Sequence, residues 1–209
     1  MATVNSSRRS TSVAFVACAA PLVIMLAACG SDADAEPATA GSSSTVAAPG
    51  PAPAADATCP TAAPVAGGQP EWTLAGTTGT LAVTGSTDAA APEVKVEGPF
   101  SVAETQVHTL QAGNGPVVTD TAVVNVCYMG VNGRDGAVFD SSYQRGEPAE
   151  FPLDGVVPGF QKAIAGQNVG STVAVAMAPA DGYPEGQPAA GIQKGDSLVF
   201  AIKILGVTG

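Results

Sequence analysis

The chain has little of what most active sites are built from. Its 209 residues include one histidine, one tryptophan, four cysteines and only eight lysines and arginines. A lone His108 cannot assemble a metal site, and no Cys-x-x-Cys pair exists. There is no Gly-x-Ser-x-Gly elbow and no glycine-rich phosphate loop closed by a lysine. The usual nucleophilic, metal and phosphate-binding sets are therefore excluded, and neither a metal nor a cofactor is expected. His108 reads as a solvated strand residue. Eighteen acidic residues outnumber the eight basic ones. Such a surface repels nucleic acid, which is not expected as a partner.

Long apolar runs are also scarce, apart from one near the N-terminus. Arg8 and Arg9 precede an apolar stretch from Val13 to Ala28, broken by Pro21. It is too short and too alanine-rich to span a membrane, and it fits a secretory signal. The stretch ends in Leu26-Ala27-Ala28-Cys29, which resembles a bacterial lipobox. On that reading residues 1–28 are a signal peptide and Cys29 carries the lipid, giving a membrane-anchored, extracytoplasmic protein. The other reading is an ordinary secretory signal cleaved near Ala28. Loss of both signal arginines leaves six basic residues against 18 acidic ones, a charge of −12. Lipid rather than charge must then hold the protein at the membrane. Cys59 and Cys127 remain either as a disulfide or as two free thiols. Parity and an oxidising compartment favour the disulfide.

Residues 29–70 are rich in Ala, Pro, Ser, Thr and Gly and cannot bury a core. They read as a tether with a reach of roughly 35 Å. Residues 71–92 read as an N-terminal extension with two short strands, near Trp72 and Leu81. The main domain is expected over 93–209. Its strands show as alternating runs, among them Thr121 to Tyr128, Ser171 to Ala178 and Ser197 to Leu205. Asp135-Gly136 marks a hairpin. Pro158 suits the first position of a helix and Gly166 the position after its end, with Phe160, Ala163 and Ile164 on one side. The pattern is α+β: a twisted antiparallel sheet of about five strands wrapped on one short helix. No repeat and no second domain signature is seen, and a monomer is expected.

The run from Tyr128 to Phe160, YMGVNGRDGAVFDSSYQRGEPAEFPLDGVVPGF, carries the functional signal. It joins the hairpin, a Phe-Asp-Ser-Ser motif at 139–142, Arg145 and a Val-Val-Pro-Gly-Phe corner. It resembles the pocket-forming half of the FK506-binding protein (FKBP) family of peptidyl-prolyl isomerases. Ser197-Leu198-Val199-Phe200 matches that family's last strand, and the similarity covers about residues 100–206. The resemblance implies catalytic roles for Asp140, Tyr183 and Phe139. It implies substrate-binding roles for Tyr128, Arg145, Val156, Val157, Phe160, Ile192 and Phe200. Proline-containing polypeptides would be the substrates, and FK506-like macrolides would fit the same pocket. Two positions depart from the pattern. Phe160 stands where the family usually has Trp, and Ala149 where an aromatic wall residue is usual. These departures keep a second reading open, a non-catalytic chaperone or adaptor that holds proline-containing segments. A third reading, a surface lipoprotein that merely displays the domain, has no use for Asp140, Tyr183 and Phe139.

Overall fold

The computed structural model describes residues 58–64 and 67–208. The expected signal segment, Cys29 and the tether through residue 57 lie outside the described residues. Short β-rich runs give the strands β1 (Trp72–Ala75), β2 (Thr78–Thr84) and β3 (Glu93–Ser101). These form a separate three-stranded antiparallel sheet, in that order. Then come β4 (Gln106–Gln111), β5 (Val123–Asn132), β6 (Val138–Ser141), a one-turn helix α1 (Ser142–Arg145) and β7 (Ala149–Pro152). Helix α2 (Pro158–Ile164), β8 (Thr172–Met177) and β9 (Leu198–Thr208) complete the order. The second sheet runs β4-β8-β9-β5-β6, and β7 pairs with another part of β5. The expectation of one sheet of about five strands is thus too small. Among the described residues there are nine strands in two sheets, and the larger sheet has six.

The smaller sheet covers one face of the larger one, which is apolar on both faces. Val173, Val175 and Met177 of β8, with Leu198, Phe200, Ile202 and Ile204 of β9, pack with Phe160, Ala163 and Ile164 of α2. The intervening residues Ala174, Ala176, Val199 and Ala201 cluster with Leu81, Val83 and Phe100 of the smaller sheet. Alternation along a strand sends successive side chains to opposite faces, so the sheet is dry on both sides. The small alanines admit the larger side chains opposite. Pro158 opens α2, and the chain leaves it through Gly166 at φ +80°, whose N–H donates to the Val118 carbonyl. A Cβ at Gly159 would stand 2.5 Å from Met177 Cγ, so a bare Cα lets α2 lie against β8.

One irregularity positions the site. β6 pairs with Met129–Val131 of β5 and β7 pairs with Val123–Val126. Cys127 and Tyr128 are left between them with no strand partner on that edge. Helix α1 fills the gap. The Ser142 hydroxyl, fully buried, accepts from the Tyr128 N–H at 2.8 Å and donates to the Tyr128 carbonyl at 3.3 Å. One side chain thereby supplies what a strand would have supplied. Cys127 faces the other way and is joined to Cys59 in a disulfide with a Cα–Cα distance of 5.7 Å. The pair is 68 residues apart, a separation worth roughly 4 kcal/mol in the chain-entropy account of cross-links. At the far edge, exposed His108 is more than a solvated strand residue. Its ring stacks on Trp72 at 5.4 Å, linking β4 to β1.

Candidate active site

Between α2 and the larger sheet opens a cavity of about 430 Å³. Phe160, placed by the Pro158 corner, lies at its base. Its ring meets Phe200 at 5.4 Å, Phe151 at 5.7 Å and Tyr128 at 6.0 Å, all near-perpendicular. Edge-to-face contacts suit the ring quadrupoles and fix the shape of the base. Phe139 stands edge-on to Phe200 at 5.6 Å. That contact needs Gly130, because a Cβ there would meet the Phe139 ring at 2.6 Å. Val156, Val157 and Tyr183 complete the apolar wall.

One carboxylate, Asp140, sits among these rings. The Tyr128 hydroxyl donates a short hydrogen bond to Asp140 Oδ2. Arg145 Nη1 donates to Oδ1 at 2.6 Å, and Arg145 Nη2 reaches the Tyr128 oxygen at 3.2 Å. Burial alone would raise the Asp140 carboxyl. The Tyr128 hydroxyl and the Arg145 guanidinium outweigh it and hold the group below the ordinary carboxylate range. Burial pushes the Tyr128 phenol up, and its bond to Asp140 adds to the rise. Near neutral pH the rim therefore holds a fixed carboxylate, a neutral phenol and a guanidinium. Two donors are left over for a ligand. Among the described residues, neither the Val157 N–H nor the Tyr183 hydroxyl bonds to another protein group.

Most of the residues singled out from sequence line this cavity, but Ile192 and Arg145 do not. Ile192 is 1% exposed and packs in the core beneath the wall, because the loop from Tyr183 folds back through the Gln187–Ile192 bridge. Phe151 and Gly155 do line it. Phe151 shares a face of β7 with Ala149, two residues away, and puts an aromatic ring beside the position that looked open in the sequence. Arg145 acts from the rim through Asp140 and Tyr128.

The loop carrying Tyr183 is tied down by Asp196. Its carboxylate accepts from Asn132 Nδ2 at 2.7 Å, the Gln193 N–H at 2.8 Å and Arg134 Nε at 3.2 Å. Burial works to raise this carboxyl, but Asn132, the Gln193 N–H and Arg134 together lower it. A lowered carboxyl stabilises the fold above its unfolded value of about 3.9, and that stabilisation is lost as pH falls through the folded value. Asp196→Asn should cost about 1.5–3 kcal/mol at pH 7. The gap between its melting temperature and that of the wild type should shrink below about pH 4. A gap that stays constant down to pH 3 would refute this role.

A family model described as FKBP-type peptidyl-prolyl cis-trans isomerase matches residues 115–205. The chain is 36% identical over 94 residues to a probable FK506-binding protein of Corynebacterium glutamicum, covering 44% of this chain and 78% of that one. The chain belongs to the FKBP family. It is also 39% identical over 100 residues to the FKBP-type 22 kDa peptidyl-prolyl cis-trans isomerase of Escherichia coli, covering 48% of each. This FKBP chain spans about half the length, or less, of the first curated relatives it matches. The crystal structure of FkpA from Escherichia coli is similar over 50% of this chain and 48% of its own, with 34% identity and a TM-score of 0.46.

Proposed function

We propose that this FKBP chain accelerates cis–trans isomerisation of Xaa-Pro bonds in secreted or envelope proteins. The observation that carries the proposal is the aromatic cavity with one ionised, pinned carboxylate and two unused donors at its mouth. The barrier to turning an Xaa-Pro bond is amide resonance, close to 20 kcal/mol, and uncatalysed turning takes tens of seconds or longer. Resonance places negative charge on the imide oxygen, which water stabilises. A proline ring seated on Phe160 takes the imide out of water and weakens that charge-separated form. The twisted imide then fits the cavity better than the planar one, which is selective stabilisation of the transition state.

Asp140, Tyr183 and Phe139 are the catalytic groups of this proposal. Asp140 faces the prolyl carbonyl, and Arg145 and Tyr128 keep it ionised and in place. The Val157 N–H and the Tyr183 hydroxyl donate to carbonyls of the bound chain, while Phe139, Phe200 and Val156 confine the proline ring. FK506-like macrolides should occupy the same cavity. We further propose that Cys29 carries the lipid that holds the protein outside the cytoplasm. Support for that anchor comes from the Leu26-Ala27-Ala28-Cys29 sequence alone.

The test is a prolyl isomerisation assay on residues 30–209 with Ala-Pro, Leu-Pro and Phe-Pro peptides. Acceleration that an FK506-like macrolide blocks is the expected result. A folded protein that binds the macrolide and leaves the uncatalysed rate unchanged would make it a holder of proline segments instead.

A further inference from the structure

The segment from Thr58 to Ala62 precedes the family match, yet it touches the structure beneath the catalytic rim. Cys59 is 2% exposed, and its contacts converge on α1. Its N–H donates to the Gly146 carbonyl at 3.1 Å, and its Sγ lies 3.4 Å from the Ser142 hydroxyl. Gly146 is the residue that ends α1, at φ +77°. Ser142 is the residue that begins it. The segment thus holds the one-turn helix at both ends, and Arg145 is its last residue. A four-residue helix has too few internal hydrogen bonds to keep its own shape in water. What fixes it must come from outside.

Tyr143 of α1 is 2% exposed and packs with Cys59, Ala91 and Cys127, and the polar supports from outside are few. The Ser141 hydroxyl reaches the Gln144 N–H only at 3.4 Å, a weak cap. The Tyr143 hydroxyl bonds to Ser86 at 2.8 Å. The disulfide then ties Cys59 to Cys127, the neighbour of Tyr128 on β5. Ser142 stands at the centre, touching Cys59 on one side and both backbone groups of Tyr128 on the other. Tyr128 and Arg145 are the two side chains that hold Asp140.

We propose that Ser142 and the segment Thr58–Ala62 are positioning elements of the active site. Together they hold α1 against β5 so that Arg145 and the Tyr128 hydroxyl meet Asp140 in one geometry. Neither touches substrate. Opening the Cys59–Cys127 bond releases the segment from β5 and lets α1 move, while both sheets and α2 keep their packing. The effect on catalysis rests on the isomerase reading above. The effect on the rim geometry does not.

The experiment compares three forms of the domain: oxidised, reduced by a dithiol such as dithiothreitol, and Ser142→Ala with the disulfide intact. Reduction transfers two electrons and two protons from the dithiol, which becomes a disulfide, to Cys59 and Cys127, which become thiols. The first readout is the NMR signal of the Arg145 guanidinium Nε–H, with hydrogen-exchange protection of the Tyr128 amide beside it. The second is isomerase kcat/KM. In both altered forms the Arg145 signal should shift and Tyr128 protection fall at least tenfold, while β8 and β9 amides stay protected. Activity should fall about threefold to tenfold, mostly in kcat, and reoxidation should restore the reduced form. Unchanged Arg145 and Tyr128 signals in folded Ser142→Ala or folded reduced protein overturn the proposal. If reduction unfolds the domain, Ser142→Ala decides alone. If the oxidised domain shows no isomerase activity, the isomerase reading fails, and the NMR comparison still decides whether the segment sets the rim.

Discussion

Asp140→Val is expected to lower kcat/KM for prolyl isomerisation by about tenfold to a hundredfold, a loss of roughly 1.4–2.7 kcal/mol of transition-state stabilisation. Two effects combine. The carboxylate no longer faces the twisting imide, and Arg145 and Tyr128 lose the acceptor that orients them. Stability should hardly change. The Asp140 and Arg145 side chains are 43% and 50% exposed, and an exposed pair of this kind contributes about 0–1 kcal/mol. In a domain of about 150 residues that is a shift of no more than about 4 °C in melting temperature. Because Asp140 is held below the ordinary carboxylate range, wild-type activity should stay level from pH 7 down to about pH 4 before protonation removes it. Measuring kcat/KM and thermal midpoint in one buffer separates the two effects. Full activity in the variant would remove Asp140 from the mechanism.

Phe160→Ala is expected to lower activity as well, but with a large cost to the fold. Phe160 is 5% exposed and serves both as the base of the cavity and as a core residue between α2 and β9. Truncation removes its ring contacts with Tyr128, Phe151 and Phe200 and leaves a void beneath an already open cavity. Phenylalanine truncations of this kind cost about 3–5 kcal/mol. For a domain this size the melting temperature should drop by about 10 °C. Urea denaturation should show a lower midpoint with an unchanged slope. A loss under about 1 kcal/mol would mean that the neighbouring rings collapse into the space. Phe160→Trp, which restores the residue usual in the family, enlarges a ring packed on three others and should cost no more than about 1–3 kcal/mol.

The site was legible because its signals are local. The Asp135-Gly136 hairpin, Phe139-Asp140, Arg145 and the Pro158 corner fall within about thirty residues, at spacings set by one strand, one turn and one helix. Their likeness to the pocket-forming half of the FKBP family, carried by that order, is what implied one cavity. The smaller sheet was harder to see, since its signals are non-local. Leu81 and Val83 alternate as a half-buried strand should, but nothing nearby tells which surface they cover. The clue lay in β8 and β9, where the residues between the inward ones are Ala174, Ala176, Val199 and Ala201 rather than polar. A strand with no polar face expects cover on both sides. Ile192 and Phe151 show the same limit at the level of one residue. Each is apolar in a strand or loop beside the cavity, and only the path of the backbone decides which of them reaches it.

The two-sided sheet bears on how this protein can be excised. A fragment cut to the family match at residues 115–205 would begin after β1, β2, β3 and β4. It would bare the alanine-lined face that Leu81, Val83 and Phe100 now cover, and it would leave β8 as an open edge beside apolar surface. An uncovered edge of that kind is a template for pairing with other chains. Such a fragment would keep every group proposed to touch substrate and still be prone to aggregate. For this chain the smallest piece that keeps its own surfaces covered starts at the segment bearing Cys59, well upstream of the family match.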